Sequence, residues 1–366
     1  MRNYLRNIIR TFVGKRKTLE ELYGEALEKI EICPQEIIET PEALGMPRFT
    51  EPGEWLLKGE TYKTPNLFTV LIENAIYSPR ENILIAPSRH IISESLICGE
   101  EASIISLKKL LSKPIETIPG YSCVFLSSRR GYYHTMIVHP PRLSLINRPE
   151  YRNLGEIKLL CPDRIKHFEE ISIQKLAPSN AKPFIVKGDS LYRLENVILP
   201  SFSTKRSCGY LPKHYLERSR KKFLPERSSR RNQRIYISRI QCSTKTPNGR
   251  GRHVENENQL MEKLSQYGFK KYLLENLSFE EQKILFYDAE IIVSPHGAGL
   301  SNLIFADKTS VLELHPRDII TPTFYYLCKS LGCNYKYWSG KIKHPHNRID
   351  FLVNVEEILN LLSPWL

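Results

Sequence analysis

The densest chemistry in this chain lies at residues 290–302, Glu-Ile-Ile-Val-Ser-Pro-His-Gly-Ala-Gly-Leu-Ser-Asn. An apolar run of strand character empties into His296-Gly297-Ala298-Gly299, and helix-compatible residues follow. Glycines there let a ligand approach the backbone and permit a positive φ. The first N–H groups of the following helix, at the positive end of its dipole, form a seat for phosphate. His296 and Asn302 flank the turn with side chains suited to sugar hydroxyls or phosphate oxygens. By itself, a strand before Gly-x-Gly is equally a plain turn, so the neighbouring residues decide what it is for.

Those neighbours are polar residues at the carboxyl ends of other candidate strands. Ser238 and Arg239 close one strand, Glu313 and His315 close another, and Arg250, Arg252 and His253 follow the first. Guanidinium groups grip phosphate oxygens bidentately, and a carboxylate such as Glu313 suits the hydroxyls of a ribose. A second cluster runs Arg129-Arg130-Gly131-Tyr132-Tyr133-His134 and then His139-Pro140-Pro141-Arg142. Either histidine can take a proton from an attacking hydroxyl or serve as a core hydrogen-bonder. The apolar residues between them predict a short helix ended by the prolines. His344-Pro345-His346 lacks a carboxylate or third ligand nearby, so no metal site is expected.

The elements that must position these groups fall into two sets. At 366 residues the chain is long enough for two domains. A composition 41% hydrophobic and 25% charged is that of a globular protein. No apolar stretch reaches the roughly 20 residues that span a bilayer. A net charge of +13 favours anionic partners. The eight cysteines include no Cys-x-x-Cys pair and read as reduced thiols. The first 17 residues carry six cations, no acid and apolar residues at helical spacing, which fits a basic amphipathic helix lying on an anionic membrane or docking on the protein. Strand-like runs at 83–86, 123–126, 157–160, 184–186 and 197–199 make the first half mixed α/β. The basic stretch 214–233 reads as a solvated linker, since it lacks the interleaved aromatics of a nucleic-acid platform. Beyond it, strands at 235–238, 272–274, 291–293, 311–314 and 335–338 alternate with helices, one opened by the capping box at Ser278 and Glu281. That alternation predicts a parallel, doubly wound sheet with ligands at its carboxyl edge.

The segment 234–316 resembles the glycosyltransferase 61 (DUF563) family. Arg234-Ile-Tyr-Ile-Ser-Arg239, Arg252-His-Val-Glu-Asn-Glu257, Ser278-Phe-Glu-Glu-Gln282, the 289–302 block and Val311-Leu-Glu-Leu-His-Pro316 carry the likeness. Tyr132-Tyr133-His134 and Pro141-Arg142-Leu143 match the family's weaker N-terminal signature, so the resemblance spans roughly 65–320. It implies two Rossmann-type doubly wound domains in a GT-B-like arrangement, facing an inter-domain cleft, and metal-independent, inverting transfer of a sugar, usually from a UDP-linked donor. The implied organisation is an N-terminal extension (1–60), an acceptor domain (61–213), the linker (214–233), a donor domain (234–350) and a C-terminal helix (351–366). The implied donor site comprises Arg239, Arg252, His296, Gly297, Ala298, Gly299, Asn302 and Glu313. His134 and then His139 are the base candidates, although Val138 stands where the family often carries an acid. No cofactor beyond the nucleotide-sugar is implied. The acceptor that the resemblance implies is a glycan or lipid-linked saccharide of capsular polysaccharide synthesis. The expected location is cytoplasmic, peripheral on the inner membrane face, with nucleic acid not expected as a partner. The rival from another class is a non-catalytic protein that binds nucleic acid or anionic membrane, and a degenerate member that binds donor only is a third.

Overall fold

A computed structural model describes residues 16–24, 28–39, 61–96, 115–127, 130–204, 209–241, 251–316, 321–340 and 350–366. The chain divides into two compact units, Met1–Glu36 with Lys63–Ser207, and Ile37–Tyr62 with Cys208–Leu366. Strands β1 (Arg16–Lys17) and β2 (Lys29–Cys33) belong to the first unit, while β3 (Ile37–Glu39) and β4 (Thr61–Lys63) pair in a ribbon. Arg16 and Lys17, at the end of the expected amphipathic helix, are therefore strand, and residues 1–15 lie outside the described residues. Among the described residues no helix is long and apolar enough to cross a membrane.

The first unit is built on β5 (Leu67–Ser78), β6 (Ile83–Ile85), β7 (Ile91–Ile92), β8 (Ile115–Cys123), β9 (Ile157–Pro162), β10 (Ala181–Val186) and β11 (Leu191–Pro200). The sheet order is β1-β7-β6-β5-β11-β8-β9-β10, with β2 also on β5. Strands β11, β8, β9 and β10 run parallel, whereas β5 is antiparallel to β11 and β6. This mixed sheet replaces the doubly wound parallel sheet expected of the first half. Val70, Ile72, Leu160, Leu194 and Val197 fill its core.

Helices α1 (Leu19–Tyr23), α2 (His139–Ile146), α3 (Pro149–Arg152) and α4 (His167–Leu176) complete this unit. The prolines do not end a helix, as expected, but open α2 at its first positions. A π turn over His134–Val138, closed by the His139 N–H on the His134 carbonyl, leads straight into it. Prolines cost little in a first helical turn, where their missing N–H groups have no intrahelical duty.

The second unit holds β12 (Gln233–Ile237), β13 (Phe269–Tyr272), β14 (Ala289–Pro295), β15 (Ser310–Pro316) and β16 (Asn334–Gly340), all parallel in the order β13-β12-β14-β15-β16. Between and around them lie α5 (Lys213–Arg218), α6 (Glu257–Ser265), α7 (Phe279–Tyr287), α8 (Thr323–Leu331) and α9 (Val355–Leu362). Ser278 caps α7 through the expected capping box. Counted within the unit the strand order is 2-1-3-4-5, so the winding reverses between β12 and β14, and ligands of such sheets sit outside the carboxyl ends at that reversal.

The stretch 214–233 is no solvated linker. Tyr215 and Phe223 are buried, and the Arg220 guanidinium donates to the carbonyls of Ile304 and Ala306. Arg227 forms a bidentate pair with Asp288 at 2.7 and 2.8 Å, and its hydrogen bonds hold that carboxyl below the usual range. Nor is 351–366 a separate element: Asn354 caps α9, and Phe351, Ile358 and Leu362 join Leu260, Leu264 and Val293 in one core.

Candidate functional site

At the reversal point the end of β12 delivers Arg239 onto the turn that ends β14. Gly297 has an extended φ of 176°, so what glycine supplies there is space and not a left-handed backbone. A Cβ at that position would lie 1.9 Å from Arg239 Nη1 and 2.7 Å from its Cζ. The guanidinium thus reaches the turn with its Nη1 end foremost, and its Nε donates to the Gly251 carbonyl at 3.2 Å. Gly299 is tight only against the flexible end of Leu274, and Ala298 is exposed. From Ala298 to Phe305 the chain turns as a 3-10 helix that starts directly after Gly297, its first N–H groups lacking partners within the helix. Arg252 has a φ of 50°, a left-handed conformation uncommon outside glycine and asparagine. Its charge reaches His296, where it opposes protonation of the imidazole.

The interior side of the turn is a buried polar cluster. His296 Nδ1 meets Glu313 Oε1 at 2.5 Å, and the Tyr335 hydroxyl donates to Glu313 Oε2 at 2.6 Å. The His296 ring stacks on His315 (centroids 5.2 Å apart) and tilts against Phe324 at 5.5 Å. Burial pushes His296 down to about 4, only partly offset by Glu313. Burial alone would raise the Glu313 carboxyl, but His315 and His296 outweigh it and hold it well below the usual range. At neutral pH the pair is therefore a carboxylate accepting a hydrogen bond from the N–H of a neutral imidazole.

Two of the expected ligand contacts change with this geometry. Glu313 is fully buried and both its oxygens are taken, so it is not presented to a ribose. Asn302 is also fully buried; its Nδ2 donates to Gln282 Oε1 at 2.8 Å, and Gln282 in turn donates to the carbonyls of Leu274 and Leu277. It ties the 3-10 helix to α7 and does not reach toward a ligand. Tyr335 and Thr321, whose Oγ1 lies 3.4 Å from His296 Nε2, carry no local sequence signal, and Gln282, which ends one of the quoted motif pieces, has none that ties it to Asn302. Arg250 and the His344–His346 stretch lie outside the described residues.

In the first unit His139 is buried. Its Nε2 accepts from the Ser127 N–H at 3.1 Å, and its Nδ1 stands 3.8 Å from Glu169, which Arg130 clamps from the other side. The Ser127 hydroxyl lies 3.0 Å from the same Nε2, but with the backbone donor occupying that lone pair this is no nucleophile and base. His139 is thus a structural hydrogen-bonder, contrary to the expectation of a second base candidate. His134 is only half-buried, with its ring edge-on to Tyr133 at 5.3 Å.

Burial, then the nearby cations Arg142 and Arg130, hold the His139 imidazole well below its ordinary value. The unfolded chain then binds a proton that the folded chain refuses, so stability present above about pH 6.5 is lost as pH falls. Urea midpoints between about pH 6.5 and 5 are expected to give His139→Gln a slope shallower by about 1.4 kcal/mol per pH unit than the parent. Equal slopes would mean that the folded protein protonates His139 freely.

A parallel sheet whose reversal point joins an arginine to a glycine turn and a helix N-terminus is a geometry able to seat an anion. Residues 62–312 match the glycosyltransferase 61 family, and the chain belongs to that family. No curated protein matches it. The matched span takes in His134, Arg239, Arg252 and the turn, and ends one residue before Glu313.

Proposed function

We propose that this chain is an inverting glycosyltransferase that takes a sugar from a UDP-linked donor and passes it to a glycan or lipid-linked saccharide in surface polysaccharide synthesis. The placement of the Arg239 guanidinium on Gly297, directly before the 3-10 helix, carries this proposal. A nucleoside diphosphate seated there meets a fork of donors and a helix N-terminus, and Arg252 adds a second cation from the next loop. Charge gathers on the diphosphate as the glycosidic bond breaks, so donors fixed in advance favour departure. Glu313 serves by orienting His296 and not by holding a ribose. His134, which is half-buried where His139 is enclosed, is the proposed base for the acceptor hydroxyl.

Thermal unfolding with UDP, GDP, CMP, ADP and buffer alone tests the donor side. A rise specific to UDP supports the proposal, and a rise with GDP instead replaces the donor. No rise with any nucleotide, together with salt-sensitive binding to DNA or acidic vesicles, would overturn it in favour of a polyanion-binding protein.

A further inference from the structure

Beneath the turn, three side chains from β14 and β15 converge in a way that anion binding does not require. His296, Glu313 and His315 are buried, and one ligand atom of each falls within 4.8 Å of the others. Glu313 and His315 stand two residues apart on one strand and so share a face of β15. His296 reaches them from the end of β14, the adjacent strand.

His315 is the telling residue. It is fully buried, yet neither ring nitrogen makes a hydrogen bond. A neutral imidazole has one N–H and one lone pair to satisfy, and each left unmet in the interior costs about 1–3 kcal/mol. Its Nε2 lies 3.4 Å from Glu313 Oε2, close but not aligned as a hydrogen bond. Donor atoms around a tetrahedral zinc ion, each about 2.0–2.2 Å from the metal, stand roughly 3.3 Å apart. The contact that fails as a hydrogen bond is therefore of the right length for two ligands of one cation.

We propose that His296, Glu313 and His315 bind a divalent transition-metal ion, zinc before others, between β14 and β15. Two imidazoles and a carboxylate form a donor set that zinc takes readily, with a fourth position left for water or an anion oxygen. The Tyr335 hydroxyl on Glu313 Oε2 is the kind of outer partner that fixes a ligating carboxylate. Ligation through His296 Nδ1 places that ring's proton on Nε2, and Thr321 Oγ1 lies 3.5 and 3.4 Å from the two ring nitrogens. The short His296–Glu313 contact opens as the cation enters. This site departs from the metal-independence that the family resemblance implies, and it stands whether or not the donor is UDP.

Metal content of the full-length protein, measured by mass spectrometry after purification without added metal, tests it. The expected result is close to one equivalent of zinc per chain. Chelation is expected to remove it with a fall in the thermal midpoint, and added zinc restores both. Cobalt added to the stripped protein is expected to give the absorption of a low-symmetry site with nitrogen and oxygen ligands. Glu313→Gln and His315→Asn are each expected to lose the equivalent, whereas His90→Ala, at a half-buried position in the other unit, keeps it. If a triad variant fails to fold, the wild-type stoichiometry and the cobalt spectrum decide alone. Substoichiometric metal in the wild type, with a midpoint indifferent to chelator and to added zinc, would overturn the proposal and leave the triad a hydrogen-bonded cluster.

Discussion

Arg239→Ala is expected to abolish the nucleotide-dependent rise in thermal midpoint and to cut sugar transfer about 10²–10³-fold, the usual cost of removing one preorganised donor to a developing anion. The unliganded midpoint should hardly move, because among the described residues the half-buried Arg239 side chain makes a single hydrogen bond, from Nε to the Gly251 carbonyl. Arg239→Lys should recover only part of the loss, since an ammonium offers a point charge where a planar fork lay against the turn. Gly297→Ala is expected to behave like Arg239→Ala. Its φ of 176° suits any residue, so the harm is steric: the new methyl would occupy the volume of the guanidinium. Turnover and nucleotide response left intact in both variants would remove Arg239 from the donor site.

The second large effect concerns stability. Arg142→Ala is expected to destabilise the protein by about 3–5 kcal/mol, with a fall of roughly ten degrees in the thermal midpoint. Arg142 is fully buried and donates five hydrogen bonds: two to the Pro200 carbonyl and one each to those of Val124, Phe125 and Leu126. Its guanidinium also stacks on Phe202 at 3.9 Å. Burial pushes its pKa down to about 10, still well above neutral, so the side chain stays charged. Alanine would strip the guanidinium from these carbonyls and leave a void, although Leu126 retains the Asn82 amide at 2.9 Å. Denaturant midpoints measure this, and a loss below about 1 kcal/mol would mean that water replaces the guanidinium at those strand ends.

The second unit was the more legible in the sequence, for a physical reason. Its parallel strands are covered on both faces, so β14 and β15 are buried almost throughout and show short apolar runs at Ile291–Val293 and Val311–Leu312, and Ser278 and Asn354 mark helix starts through local hydrogen bonds. Matters were different in the first unit, where β5 is interrupted by Glu73 and Asn74, the latter at a φ of 53°, so the longest strand of the sheet carries no continuous apolar signal. The prolines at 140 and 141 and the arginines of 214–233 misled for a related reason. A first-turn proline and a helix-breaking one look alike, and Arg220 and Arg227 are held by partners more than 60 residues away. Within the site, chain position located the rim but not which way each side chain turns. Arg239 and the glycine turn could be read; Asn302 and Glu313 turn inward, onto Gln282 and Tyr335, which no local pattern connects to them.

The close packing of Arg239 on Gly297 makes the two positions a single heritable unit. A side chain at 297 would push the Arg239 guanidinium off the turn, so a change at 297 keeps the fold but forfeits what Arg239 does there. Homologous chains are therefore expected to vary at these positions jointly, and recombination between lineages that separates the pair should yield folded proteins with an impaired anion seat.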